Sequence, residues 1–256
     1  MPRPRRKLLQ QRKELVERYV RLAVRRKAKK IAQSVARCVS RPRLQWSERK
    51  RRRALISALE TVAIEAARSR KNGFEATTVV MNLALFFLIA ERDIQAVKID
   101  ALTHPDSWTR GLAARIMLLT IHELDIDKAA GTKLRQALDD SNVPEELRNA
   151  VTEAMRAIRK SQSRAQRQFA YLRNATIAHR DPDAIRQYRD IIEIDGLEVT
   201  KVAAAFYEGT SKFMDVLPRL LVHLSTWPGM IGQLTSQMER KSGNEANLLP
   251  PSSTDA

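Results

Sequence analysis

Apolar residues recur every three or four positions along most of this chain, the period of an amphipathic helix rather than of a half-buried strand. In the first fifth, Leu8, Leu9, Leu15, Val16, Tyr19, Val20, Ala23, Val24, Ile31 and Val35 keep roughly that spacing between basic residues. The pattern predicts a basic amphipathic helix. Arg41-Pro42-Arg43 is expected to break it, because proline lacks a backbone donor and restricts the residue before it. Trp46-Ser47-Glu48 then reads as an N-cap opening a second helix.

Further on, Thr77 to Ala90 is the most apolar run, interrupted by Asn82 and ended by Glu91. It falls short of the ~20 apolar residues a membrane span needs and reads as a buried core helix. Asp106-Ser107 is a cap for a helix over Trp108 to Leu124, carrying Leu112, Ile116 and Leu119 beside Ala113, Met117, Ile121 and Leu124. A short helix is expected near 127 to 140, and Ser141-Asn142-Val143-Pro144-Glu145-Glu146 is a helix start with acidic residues in the first turn. No proline or glycine occurs from Glu145 through Arg180, so one continuous helix or two shorter ones fit there. Asp183 to Ile192 reads as another short helix, Asp195-Gly196 as a hairpin or turn signal, and Lys201 to Thr226 as a helix kinked at Pro218.

Composition narrows the class. Eight glycines and 5% aromatic residues suit an all-α protein. The expected architecture is an up-and-down helical bundle over residues 74–226, a basic helical arm over 1–73, and a flexible C-terminal tail over 227–256, where Pro, Gly, Ser, Asn and Gln predominate. A single cysteine, Cys38, forms no internal disulfide and defines no zinc site. Met-Pro-Arg-Pro-Arg-Arg-Lys lacks the apolar segment of a secretory signal, so a cytoplasmic protein without a membrane span is expected.

The formal net charge of +17 is unevenly placed. Residues 1 to 53 hold 21 Lys and Arg against 3 Glu, a balance of +18; the rest hold 25 basic against 26 acidic residues, a balance of −1. A concentrated basic segment neutralises phosphates and releases counterions. Arg49, Lys50, Arg51, Arg52 and Arg53 are therefore candidate nucleic-acid-binding residues. An anionic membrane surface, an acidic protein or a solvated face are the other readings of such a run.

Candidate chemistry lies in Tyr-Leu-Arg-Asn-Ala-Thr-Ile-Ala-His-Arg-Asp-Pro-Asp, residues 171 to 183. An arginine clamps phosphate through its planar fork, and a histidine moves a proton near neutral pH. RNA cleavage by the ribose 2′-hydroxyl needs both tasks and no metal. In a regular helix Arg173 and His179 would lie about 120° apart around the axis, so they converge only if the helix ends or distorts, or if a second chain contributes. Asp181-Pro182 supplies a stop, and Asp181 is able to cap the next helix. A plain helix C-terminus, with Arg and His near the last carbonyls, is the competing reading. Arg115 and His122 form a second match, set in apolar sequence that reads as a packed helix.

The segment from Arg173-Asn174 to Ala178-His179-Arg180-Asp181 resembles the R-x4-6-H motif of the HEPN superfamily, with wording similar to its abortive-infection branch. That resemblance implies a dimeric helical bundle whose paired motifs form a metal-independent endoribonuclease of toxin or phage-defence type, without cofactors. It would make Arg173 and His179 catalytic, with Asn174 as the polar residue after the arginine, and would bring a regulatory or antitoxin partner into question. A non-catalytic helical module binding nucleic acid or a partner protein is the alternative.

Overall fold

A computed structural model of the chain describes residues 4–172 and 182–246. All regular structure among them is α-helical: α1 (Pro4–Lys71), α2 (Glu75–Thr103), α3 (Ser107–His122), α4 (Ile126–Ala129), α5 (Gly131–Asp140), α6 (Glu145–Leu172), α7 (Ala184–Ile192), α8 (Gly196–Leu224) and α9 (Trp227–Ala246). The all-α helical bundle expected from composition is what forms.

The core lies where α2, α3, α6 and α8 meet. Leu83, Phe87 and Ile94 of α2, Ile121 of α3, Ile158 of α6, and Phe206 and Leu220 of α8 are fully buried. Phe87 and Phe213 meet edge to face at 5.3 Å and 78°, a favoured aromatic geometry worth about 0.5–1.5 kcal/mol beyond burial. The apolar run of the sequence thus becomes the centre of α2. Helices α6 and α8 approach at Gly209, where an added Cβ would stand 2.8 Å from the Ile158 side chain and 2.9 Å from its backbone nitrogen. Only a residue without a side chain fits there.

Helix starts follow local chemistry. Asp106 accepts from the Thr109 N–H at 2.7 Å and opens α3, as expected. Asp125 does the same for α4 through Lys128, and Ala130 separates α4 from α5, which opens on Gly131 at φ +44°. The single short helix expected near 127 to 140 is therefore two.

Four expectations need correction. Pro42 does not end the basic helix but lies inside the 68-residue α1; Ser47, read as an N-cap, donates instead to the Leu44 carbonyl one turn back. Ion pairs on both sides of Pro42 hold α1 along α2: Arg41 with Asp100 at 2.7 Å and Glu48 with Lys98 at 2.7 Å. Second, the arm expected over residues 1–73 ends with α1 at Lys71 but is not independent of the bundle, since its Leu55 and Val62 join the core. Third, Asp195-Gly196 makes no hairpin: the Asp195 carboxylate accepts from Leu197 and Glu198 N–H groups and caps α8. Fourth, residues 227–246 of the expected tail form α9, whose Gln233 is buried and accepts from the Thr77 N–H and hydroxyl at 3.3 Å. Its Gly229 and Gly232 lie against the backbone of His223 and Asp140, where a Cβ would collide. The glycines that suggested flexibility permit close packing.

Candidate nucleic-acid interface

The antiparallel pairing of α1 with α2 places the basic run at the mouth of a polar cluster between α1, α2 and α8. Arg49, Lys50, Arg52 and Arg53 are exposed. Arg51 turns towards α8, with its guanidinium carbon 5.1 Å from the Tyr207 ring centroid, and Lys98 approaches the same ring at 5.2 Å. Two cations on one ring are favoured by its negative face. The five-residue run therefore divides by contact rather than by exposure: all five side chains are exposed, and among them Arg51 meets an aromatic ring.

Beneath the ring, the Tyr207 hydroxyl donates to the Glu91 carbonyl at 3.1 Å, and the Thr210 hydroxyl donates to the Glu91 carboxylate. Burial raises the Glu91 pKa above the ordinary carboxylate value, against the Thr210 hydrogen bond and the charges of Arg51 and Lys98, which lower it. Burial also raises that of the Tyr207 phenol, with the Glu91 charge acting in the same direction. Gln95 donates to Glu48 at 3.2 Å, while its own carbonyl oxygen is buried without a hydrogen-bond partner. This cluster seats the bundle end of the basic helix. Sequence reading missed it because Glu91 figured only as the end of an apolar run and Tyr207 lies 116 residues away.

Arg173, Asn174 and His179 lie outside the described residues, as does Asp181. What is described are the two elements they join. Helix α6 runs to Leu172, and α7 begins at Ala184 with Asp183 as its cap, accepting from Ile185 and Arg186 N–H at 3.1 Å. The capping role expected of Asp181 belongs to Asp183.

The second arginine–histidine match is not brought together as a site. Arg115 is buried, donates to the Gly111 carbonyl at 3.3 Å and lies 5.9 Å from the Trp108 ring; burial lowers its pKa. His122 instead meets Glu123 at 3.1 Å. Around Arg115 the outer surface is apolar. Trp108, Leu112 and Ile116 of α3 and Ile185, Tyr188 and Ile192 of α7 are exposed together, with Trp108 and Tyr188 stacked at 6.5 Å and 29°. Leu112 and Ile116, expected as packed positions, thus point outward while Ala113, Met117 and Ile121 form the buried face.

Among the described residues no group of three His, Cys, Asp or Glu could hold a metal ion, and no helix is long and apolar enough to cross a membrane. Cys38 is exposed. Set against protein-family models, curated proteins and solved structures, the chain matches none.

Proposed function

We propose that this chain binds RNA through the basic face of α1. The observation that carries the reading is that all five side chains of residues 49–53 are exposed on a helix held to the bundle, Arg51 meeting the Tyr207 ring of α8. Phosphate contacts of this kind give affinity without sequence preference and a logarithmic salt slope of about −0.7 per neutralised phosphate on single strands. Titrating a labelled single-stranded RNA at several salt concentrations tests it. Substitution of Arg49, Lys50, Arg52 and Arg53 by Gln should weaken binding and flatten the slope; an unchanged slope overturns the assignment.

A second reading adds catalysis at the α6–α7 junction. It draws support from the Asp183 cap, which restarts the chain as a new helix four residues after His179, as convergence of Arg173 and His179 requires. In this reading His179 takes the proton of a ribose 2′-hydroxyl and Arg173 stabilises the phosphorane charge. The 2′-oxygen bonds to phosphorus, and the 5′-oxygen leaves and takes up a proton, giving 2′,3′-cyclic phosphate and 5′-hydroxyl ends. The apolar α3–α7 face, adjoining this segment in the chain, would seat a second copy and bring two motifs together. Incubation of RNA with the protein in EDTA tests it: cyclic phosphate ends lost in Arg173→Ala and His179→Ala support the enzyme, and intact RNA sinks it.

A further inference from the structure

Between α5 and α6 runs a groove of about 570 Å³ that has no part in the arm or in the α6–α7 junction. Two ion pairs fix its register. Asp139 meets Arg148, and Asp127 meets Arg159 at 2.6 Å, so the chain through α4 and α5 runs antiparallel to α6.

The groove is polarised along its length. At the turn end, Arg148 is consumed by structure: it donates to the Val143 carbonyl at 2.6 Å and the Leu138 carbonyl at 3.1 Å besides pairing with Asp139. Glu145 also lines that end. Towards the other end, Arg135 and Arg156 are exposed and have no acidic partner among the described residues. Arg159 joins them, its pair with Asp127 being solvent-exposed, with Asp127 at 80%, and such pairs are worth only about 0–1 kcal/mol. At Gly131, which also lines the groove, a Cβ would meet nothing within 4 Å, so the groove is open there. Leu134, Leu138, Val151 and Met155 form an apolar base beneath these cations.

We infer that this groove binds a nucleotide phosphoester. Arg135, Arg156 and Arg159 grip the phosphate oxygens through guanidinium forks. The flat base lies on the Leu134–Met155 floor, with the acidic turn end facing the N–H groups on its edge. The same chemistry is offered by a free nucleotide and by one nucleotide of an RNA strand. The inference does not rest on the arm: loss of either activity leaves the other measurable.

Calorimetric titration of the full-length protein with ADP, inorganic pyrophosphate and hexauridylate tests it, using the Arg135→Gln/Arg156→Gln double variant and an Arg52→Gln/Arg53→Gln control. ADP should bind at one saturable site, at least tenfold more tightly than pyrophosphate. The double variant should weaken it tenfold or more and the control should not. If ADP fails to bind but hexauridylate loses tenfold in the double variant and less in the control, the occupant is an RNA nucleotide. Pyrophosphate binding as tightly as ADP overturns the nucleotide assignment. So does unchanged binding of both ADP and hexauridylate by the double variant. All four substituted residues are exposed, and circular dichroism verifies that the variants fold.

Discussion

The Arg51 guanidinium sits 5.1 Å from the Tyr207 ring centroid, across 156 residues of sequence, and the Tyr207 hydroxyl in turn donates to the Glu91 carbonyl. Arg51 therefore differs from its neighbours in kind. Arg51→Ala should destabilise the fold by about 0.5–1 kcal/mol, the scale of an exposed cation–π contact, while Arg52→Ala and Arg53→Ala should leave stability unchanged and lower RNA affinity. Urea denaturation beside RNA titration separates the two effects. Equal stability losses at all three positions would refute the division.

Gly209 provides a sharper stability test. Its missing Cβ is what allows Ile158 to approach, with backbone and side-chain atoms inside 3 Å of the position that Cβ would take. Gly209→Ala should cost about 1–3 kcal/mol by overpacking, even though alanine is the better helix former by about 1 kcal/mol. A thermal melt no lower than that of the parent chain would show that α6 and α8 can separate at little cost.

These relations explain which features were readable in advance. The all-α class follows from composition, and the α3 start from Asp106, because both depend on local preferences. Pro42 misled because its local cost is set against the docking of the whole of α1 along α2, through Arg41–Asp100, Glu48–Lys98 and the buried Leu55 and Val62, none of which the local sequence displays. Asp195 misled because an Asp-Gly pair serves a turn and a helix cap equally well; only the apolar periodicity after it decides. Gly229 and Gly232 looked like linker residues, yet each permits a backbone approach visible only once α9 is packed. As for the site, the charge of Arg49 to Arg53 was plain, but their division was not, since it depends on Tyr207.

Asp100 should control the arm beyond Pro42. Its pair with Arg41 lies between the bundle and the N-terminal part of α1, and both side chains are partly exposed, so its loss should cost global stability less than about 1 kcal/mol. Local opening should respond more strongly than global unfolding. Asp100→Asn is expected to speed trypsin cleavage N-terminal to Arg41 several-fold while leaving the denaturation midpoint nearly unchanged. Cleavage at the parental rate would place the control elsewhere.

Glu91 gives a pH dependence of definite sign. Burial raises its folded-state pKa despite the Thr210 hydrogen bond and the nearby Arg51 and Lys98, so the folded chain holds the proton more tightly than the unfolded chain does. The stability linked to that proton is fully present below the unfolded carboxylate range and is lost as pH rises through the folded value. Glu91→Gln removes the half-buried charge and keeps an acceptor for Thr210. At pH 8 the variant should melt higher, by about 2–4 °C if the relief is roughly 1 kcal/mol in a chain of this size. The difference should shrink as the pH falls and Glu91 takes up its proton. A variant that melts lower than the parent at pH 8 would mean that attraction from Arg51 and Lys98 outweighs desolvation, reversing the order of causes assigned to this carboxyl group.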